Sequence, residues 1–189
     1  MTAKLNLIVA VCRKNYGIGI GNTLPWKLSE DMKYFKEITT GNNCSKGKKN
    51  IVLMGRNTWE SIPEKFRPLK DRINVVLTSK LYYDPDGAIV VNDLAQFIEN
   101  PSNFVNGEYN DIFVIGGESL YNKVMEDYIG NVNKVYVTEI YKDFTCDKFS
   151  PQFHRMVGDS LEYTKVSKFQ YSSGEDLYYR FIEYTGIKH

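Results

Sequence analysis

Apolar residues fall along the chain in short continuous runs, which alternate with segments whose apolar positions recur every three or four residues. Continuous runs of roughly four to eight apolar and β-branched residues are typical of strands that are buried on both faces of a sheet. The runs predict strands over residues 5–11, 50–54, 72–77, 88–91, 111–115 and 134–140. Strands that alternate with helices favour parallel pairing, because parallel neighbours need a long crossover connection.

Helical spacing is clearest between the first two predicted strands, where Leu28, Phe35 and Ile38 share one face. Ser29 stands where a helix N-cap is expected, and Gly41 follows the last turn. Similar spacing predicts further helices over residues 58–61, over 94–98 behind a capping Asp93, and over 120–125. Helical segments therefore separate most of the predicted strands.

The C-terminal segments LEYTKVSKF and LYYRFIEY alternate apolar and polar residues, a pattern typical of antiparallel strands that are covered on one face. The predicted fold class is α/β, with a single open, mostly parallel sheet, an antiparallel C-terminal edge strand and flanking helices. We expect one domain over residues 1–189. Residues 42–49 are predicted to form a polar surface loop, and residues 82–87 a turn.

Composition excludes several classes of protein. The 189 residues carry 24 basic and 23 acidic side chains, a formal net charge of +1, so nothing indicates a nucleic-acid-binding surface. The apolar run at residues 5–11 is short, contains Asn6 and is followed by Arg13, unlike a signal peptide or a membrane span. The cysteines and histidines are Cys12, Cys44, Cys146, His154 and His189. Without a CxxC spacing they argue against a zinc site or a disulfide framework, so we expect a cytoplasmic protein without metal or membrane.

Ligands of open α/β sheets bind beyond the carboxyl ends of the strands, where this chain has the segments GRNTW, TSK and GGESLY. Gly116 and Gly117 lie where a strand passes into a helix, and glycine there permits a phosphate to approach the backbone closely. A tight strand–helix connection explains the pair equally well. The run from Gly17 to Gly21 matches a dinucleotide-binding fingerprint only in part, and a permissive turn explains it as well.

One carboxylate, Asp31, lies beside the apolar face of the first predicted helix. A carboxylate in apolar surroundings is costly unless a cationic or hydrogen-bonding group meets it, and a ligand with an amidine-like edge would do so. Alternatively, an acid in the first turn complements the helix dipole, a role that Glu30 also fits. The position of Asp31 on the apolar face favours the ligand.

Taken in order, the segments GIG, LPW, MGRNTWESIP, RPLKDR, VIGGESLY and VTEI resemble those of the dihydrofolate reductase family. Their ordered occurrence between about residues 5 and 184 covers nearly the whole chain. The resemblance implies an eight-stranded sheet whose last strand is antiparallel, and the NADPH-dependent reduction of 7,8-dihydrofolate to tetrahydrofolate in one-carbon metabolism. It also implies a monomer that binds antifolate-type inhibitors. The segment EKFRPLKDR is similar to eukaryotic members, whereas an aspartate at position 31 is closer to bacterial ones.

The resemblance assigns catalytic roles to four residues. Asp31 would bind the pterin 2-amino group and N3, and would promote protonation of N5 through water and the electronic state of the pterin. Thr138 would fix this acid directly or through water, Trp26 would hold a water beside it, and Tyr121 would lie beside the nicotinamide and the pterin. Without the resemblance, Thr138 is equally an ordinary strand residue and Tyr121 a helix-packing one.

The resemblance also implies a substrate site in which Arg72 clamps the glutamate α-carboxylate bidentately, although a surface ion pair is an alternative for this arginine. Hydrophobic residues would enclose the pterin and benzoyl groups. The residues expected to contact the substrate are Ile8, Val9, Met32, Phe35, Ser61, Ile62, Phe66, Leu69, Arg72 and Ile115.

For NADPH, the resemblance implies that Gly116 and Gly117, joined by a cis peptide, meet the pyrophosphate, and that Arg56 binds the 2′-phosphate beside Thr78. Residues 17–26 would form a mobile lid that excludes water from the nicotinamide. The residues expected to contact the cofactor are Ala10, Ile18, Gly19, Ile20, Gly21, Asn22, Thr23, Leu24, Gly55, Arg56, Asn57, Thr58, Thr78, Ser79, Lys80, Gly116, Gly117, Glu118, Ser119, Leu120 and Tyr121.

The chain departs from the family pattern at several of these positions. Asn57 and Ser79 stand where some members carry a second basic group near the 2′-phosphate, which weakens the expectation of a strong preference for NADPH over NADH. Lys148 stands where the family usually has threonine, in a loop that often supports the lid.

Two other functions stay open from the residues. A reductase of a pyrimidine in riboflavin synthesis shares this fold, but it is not expected to keep LPW, Asp31 and Arg72 together. A non-catalytic module that binds folate or NADPH is expected to lose Asp31, Trp26 or Thr138, all of which this chain retains.

Overall fold

The main feature of the computed structural model, which describes residues 2–41 and 47–187, is one mixed sheet. Its order is β10-β11-β7-β1-β6-β3-β4-β5, and β9 also pairs with β11, while β2 and β8 form a separate pair. The strands are β1 Leu5–Cys12, β2 Gly17–Gly19, β3 Lys49–Gly55, β4 Arg72–Leu77, β5 Ile89–Val91, β6 Tyr109–Val114, β7 Val132–Tyr141, β8 Lys148–Phe149, β9 Leu161–Val166, β10 Gln170–Ser172 and β11 Leu177–Gly186.

The predicted pairing directions are confirmed. Every neighbouring pair from β5 through β4, β3, β6 and β1 to β7 is parallel. β11 runs antiparallel to β7, from Tyr178 opposite Tyr141 to Thr185 opposite Lys134. β9 and β10 pair with β11 along its other side, so β11 is covered rather than forming the edge itself.

The helices are α1 Ser29–Thr40, α2 Arg56–Ser61, α3 Leu94–Glu99 and α4 Glu118–Asp127. Asp93 caps α3 as predicted, because its Oδ1 accepts the backbone N–H of Gln96 at 3.2 Å. The prediction of Ser29 as an N-cap is wrong by one position. Leu28 precedes α1 without a side-chain cap, and the Ser29 hydroxyl donates to the carboxylate of Glu30 instead.

The predicted boundaries shift by one or two residues, as is usual at the ends of elements. α2 begins at Arg56, two residues before the predicted start, and β6 ends at Val114, so Ile115 lies beyond it. Positive φ angles at Tyr82 and Gly87 accompany the predicted turn over residues 82–87. Residues 42–46 of the predicted polar loop, with Cys44, lie outside the described residues, and so does His189.

The central strands are covered on both faces, as their continuous apolar sequences predict. Successive β3 residues Ile51, Val52, Leu53 and Met54 are fully buried, although neighbouring side chains point to opposite faces. The carboxyl ends of β3, β4 and β6 therefore reach one edge of a rigid core, where α2, residues 78–80 and α4 begin. No helix in the described ranges is both long enough and apolar enough to cross a bilayer.

Candidate active site

Asp31 is a buried carboxylate with one side-chain partner, although it lies in the first turn of α1. The hydroxyl of Thr138 on β7 donates to Asp31 Oδ1 at 2.6 Å, so of the two expected arrangements, direct or through water, the structure has the direct one. Burial raises the pKa of Asp31 to about 6, although the hydrogen bond from Thr138 opposes that shift. The carboxyl group is therefore able to hold or release a proton near neutral pH.

A cavity of about 310 Å³ opens beside this carboxyl group. Its lining residues are Leu24, Trp26, Lys27, Leu28, Ser29, Asp31 and Met32. Trp26 is buried, yet its indole N–H has no hydrogen-bond acceptor within the described residues. A buried donor without a protein acceptor is costly, so the site suits a water or a ligand acceptor beside Asp31.

Tyr121 on α4 links the helix to β1, because its hydroxyl donates to the backbone carbonyl of Ile8 at 2.6 Å. Its ring is buried within the main hydrophobic core. The helix-packing alternative for this residue therefore describes its ring, while its hydroxyl also faces the glycine pair. A Cβ atom built on Gly116 would lie 3.4 Å from that hydroxyl.

Gly116 and Gly117 are joined by a cis peptide, and they meet the ends of β3 and α2. The backbone N–H of Gly55 donates to the carbonyl of Gly116 at 2.8 Å. A Cβ atom on Gly117 would lie 3.2 Å from Thr58 Oγ1, closer than such contacts normally are. A side chain at either position would crowd Thr58 or Tyr121, so glycine suits this connection.

Arg72 is held by neutral partners rather than by a carboxylate. Its Nη1 donates to Thr39 Oγ1 at 2.8 Å, and its Nε donates to the carbonyl of Lys70 at 2.9 Å. It forms no ion pair among the residues that the structure describes, so the surface ion pair considered above is not found. Burial lowers the pKa of Arg72, and its guanidinium lies 5.8 Å from the ring centroid of Phe35.

Half of the ten predicted substrate residues belong to one apolar cluster. Five belong to the same hydrophobic group, namely Ile8, Phe35, Ile62, Leu69 and Ile115. Met32 and Phe66 are more than half exposed, at 55% and 57%, so they present apolar surface to solvent. Val9 does not join this group, because its side chain packs in the main core on alternate strand positions. The Ser61 hydroxyl donates to the carbonyl of Thr58.

The residues predicted to bind the adenosine phosphate follow neighbouring strand ends, but the charge of Arg56 is already paired with a carboxylate. The register of β3 against β4 places Gly55 opposite Leu77, so Arg56 and Thr78 follow neighbouring strand ends. Arg56 Nη1 lies 3.0 and 2.9 Å from the two carboxylate oxygens of Glu60. The Thr78 hydroxyl accepts the backbone N–H of Lys80, while Ser79 and Lys80 are exposed.

The predicted lid, residues 17–26, pairs through β2 with the short strand β8. Gly17 and Gly19 of β2 pair with Phe149 and Lys148 of β8. The lid's Gly21 N–H donates to the carboxylate of Asp147 at 3.1 Å. Two more contacts anchor this region: Asn22 Nδ2 donates to the carbonyl of Asn57, and the backbone N–H of Phe149 donates to Glu118 Oε1. The lid therefore contacts β8 and α2, and β8 in turn contacts α4.

The remaining cofactor positions differ in how far they are buried. Leu120 lies in the main core and Ile18 packs against it, whereas Ala10 packs against the cluster around Trp26. Ile20 and Thr23 close a tight turn, with backbone bonds of 2.9 Å in both directions. Ser119 is exposed on α4.

Sequence analysis missed two residues at the site, namely Glu60 and Cys146, whereas Asp147 lies in the loop that the resemblance expects to support the lid. Glu60 lies four positions after Arg56, so a helix prediction that began at Arg56 would have found the pair. Cys146 packs against Gly17, and a Cβ atom on that glycine would collide with its Sγ and Cβ. No local signal identifies Cys146, because its partner Gly17 lies more than a hundred residues earlier in the chain.

Comparison with known proteins agrees with this geometry. The chain matches the family model described as "Dihydrofolate reductase" over residues 4–185. It is 43% identical to a dihydrofolate reductase of Schistosoma mansoni over 153 residues, which are 79% of this chain and 78% of the relative. It is 41% identical to a dihydrofolate reductase of Heliothis virescens over 162 residues, 80% of this chain and 83% of the relative. A viral dihydrofolate reductase of Saimiriine herpesvirus 2 is 46% identical over 157 residues, 80% of this chain and 70% of the relative.

Proposed function

The chain belongs to the dihydrofolate reductase family and is an oxidoreductase that reduces dihydrofolate, and we propose that NADPH is its hydride donor and that Asp31 anchors the pterin. The observation that carries the proposal is the buried Asp31 carboxylate, held by Thr138 at 2.6 Å beside a cavity of about 310 Å³. A carboxylate in such surroundings needs a donor-rich partner, and the pterin edge formed by N3 and the 2-amino group is one.

The substrate extends from Asp31 along α1 toward Arg72. Phe35, Ile62, Leu69 and Ile115 cover the apolar rings, with Met32 and Phe66 at the open side. Arg72 binds the glutamate α-carboxylate, since its guanidinium has only neutral partners among the described residues. Adding a bidentate carboxylate to those contacts is favourable, because charge-assisted pairs are the stronger hydrogen bonds.

NADPH fits the residues at the carboxyl ends of β3, β4 and β6. The glycine pair packs against Thr58 without side chains of its own, and glycine lets a pyrophosphate approach the backbone closely. Arg56, Thr78, Ser79 and Lys80 would hold the adenosine phosphate. When bound, NADPH supplies the hydride that reduces pterin C6.

The protein's own groups then control binding, protonation and access of water. Asp31 orients the pterin, and its pKa of about 6 allows it to share a proton with the bound ring near neutrality. A water on the Trp26 indole N–H would relay the effect toward N5, consistent with the unpaired donor there. The lid over residues 17–26 excludes bulk water from the transfer.

We further propose that the chain acts as a single-domain, monomeric, cytoplasmic enzyme without nucleic-acid or membrane partners. Antifolate-type inhibitors would enter the same cavity, because a protonated diamino heterocycle presents Asp31 with the charged donors that it lacks.

The decisive test is turnover by the purified chain at neutral pH. Mixed with dihydrofolate and NADPH, the protein should cause the near-ultraviolet absorbance of reduced nicotinamide to fall, and should not do so when dihydrofolate is left out. An absence of turnover combined with tight NADPH binding would instead favour the non-catalytic module.

A further inference from the structure

An acid lies inside the cluster of basic groups at the adenosine end of the site. Glu60 contacts Arg56 through both carboxylate oxygens, at 2.9 and 3.0 Å, one helical turn along α2. Both side chains are partly exposed, at 35% for Arg56 and 40% for Glu60. The guanidinium that would meet a phosphate is thus already paired with a carboxylate.

Tyr83 and Lys80 extend this cluster across the end of β4. The Lys80 ammonium lies 5.7 Å from the ring centroid of Tyr83. Burial, followed by the charge and hydrogen bonding of Glu60, raises the pKa of Tyr83. Glu60 therefore lies among Arg56, Tyr83 and the segment over residues 78–80, which all follow neighbouring strands.

We propose that Glu60 is a specificity-determining residue that reduces the preference of this enzyme for NADPH over NADH by competing with the 2′-phosphate for Arg56. The inference rests on the proposed function, since it takes Arg56 as a contact of that phosphate.

The physical reason is the difference in charge between the two dinucleotides. A phosphate monoester carries a charge of about −1.5 to −2 at neutral pH, and a carboxylate a few ångströms away repels it. NADH has a hydroxyl at the same position, and this hydroxyl can donate a hydrogen bond to a carboxylate. Glu60 therefore weakens NADPH binding and leaves NADH binding unchanged or slightly stronger.

The exposure of the pair sets the size of the effect. An exposed ion pair between residues four apart on a helix contributes little, so the phosphate can displace Glu60 from Arg56. The remaining cost is the repulsion between Glu60 and the phosphate, which solvent and salt screen at this exposed site. We expect a change of about three- to tenfold in affinity rather than a complete reversal of preference.

Dissociation constants for NADPH and NADH would be measured by quenching of tryptophan fluorescence in the wild-type protein, Glu60→Gln and a control variant. Glu64→Gln is the matched control, because Glu64 also pairs with an arginine, Arg67 at 3.7 Å, and its loss changes the net charge equally. Glu60→Gln should bind NADPH about three- to tenfold more tightly at low salt, with NADH within about twofold of wild type. The gain should shrink as salt is added, and Glu64→Gln should behave like wild type.

Turnover of dihydrofolate with NADPH by the same wild-type preparation separates the two ways of failing. If the wild type turns over normally but Glu60→Gln keeps the wild-type ratio of affinities, this inference is wrong and the proposed function stands. Equal gains in Glu60→Gln and Glu64→Gln would also overturn it, since they would reflect net charge alone. If the wild type neither binds nor oxidises NADPH, the proposed function and this inference fall together.

Discussion

Among the described residues that line the cavity, Asp31 is the acid, and its carboxyl group is held by Thr138. Asp31→Asn keeps the shape of the side chain and the hydrogen bond from Thr138, but it removes the negative charge and the titratable proton. We expect turnover to fall by about a hundredfold or more, the usual scale of general acid–base effects, while NADPH binding is retained.

The measurement is steady-state turnover against pH, with a separate titration of NADPH. Activity of Asp31→Asn should recover in part at acidic pH, where the substrate is protonated without help. Asp86→Asn, at an exposed carboxylate in the turn after β4, is a suitable control. Unchanged turnover in Asp31→Asn would reduce this acid to a structural role.

Arg72 differs from a lysine in geometry rather than in charge. Its planar guanidinium can pair with both oxygens of a carboxylate while keeping the Thr39 and Lys70 contacts, and an ammonium group cannot. Arg72→Lys should raise the KM for dihydrofolate by about tenfold or more and leave the KM for NADPH nearly unchanged. Arg67→Lys, at a guanidinium that lies over Trp59 instead, is the control. Similar increases in both KM values would contradict the clamp.

At the scale of elements, the pattern of apolar residues predicted the long strands and the short β5, and missed the short strands β2, β8 and β10. β3 and β4 are long enough for their continuous apolar sequence to identify them. β2 and β8 have three and two residues, too few for any period to be visible. Their pairing joins Gly17 to Phe149, and only the packed molecule brings these segments together.

The contact between β2 and β8 yields a prediction about the lid. Gly17→Ala would bring its new methyl group into collision with Cys146, so β8 must shift and its hydrogen bonds to the lid must weaken. Overpacking of this kind typically costs about 1–3 kcal/mol. We expect weaker NADPH binding and faster proteolytic cleavage within residues 17–26.

A second substitution tests whether the collision is the cause. Gly17→Ala combined with Cys146→Gly removes the side-chain atoms in the way, and should restore much of the NADPH affinity. Gly130→Ala, where no atom lies within 4 Å of the new methyl, should leave the affinity of the wild type intact. If the double variant is as impaired as Gly17→Ala, the lid does not depend on this contact.

At the scale of the whole molecule, the sequence predicted the sheet better than the site within it. Parallel pairing and the antiparallel C-terminal strand both follow from repeated local patterns. The contacts between functional residues do not follow from such local patterns. Thr138 meets Asp31 across 107 positions, and Phe149 meets Glu118 across 31, so each contact depends on strand order rather than on neighbours in sequence. Resemblance to a family supplied the first of these, and nothing in the sequence supplied the second.

Burying Asp31 also makes the stability of the molecule depend on pH. Its pKa rises from 3.8 to about 6 on folding, so between these values the folded protein binds a proton that the unfolded chain has released. The contribution of Asp31 to stability is therefore fully present below about pH 4 and is lost as the pH rises through about 6. The shift corresponds to about 3 kcal/mol at neutral and alkaline pH.

Asp31→Asn removes this dependence, because the amide stays neutral at every pH. Its free energy of unfolding in urea should exceed that of the wild type by up to about 3 kcal/mol near pH 8, and the two should converge toward about pH 4. Asp86→Asn, at an exposed carboxylate, should follow the wild-type curve throughout. If the variant is no more stable than the wild type at pH 8, burial does not destabilise the charged form of this carboxylate. An increase in stability alongside a loss of turnover would show that the fold keeps an unfavourable charge where the reaction needs it.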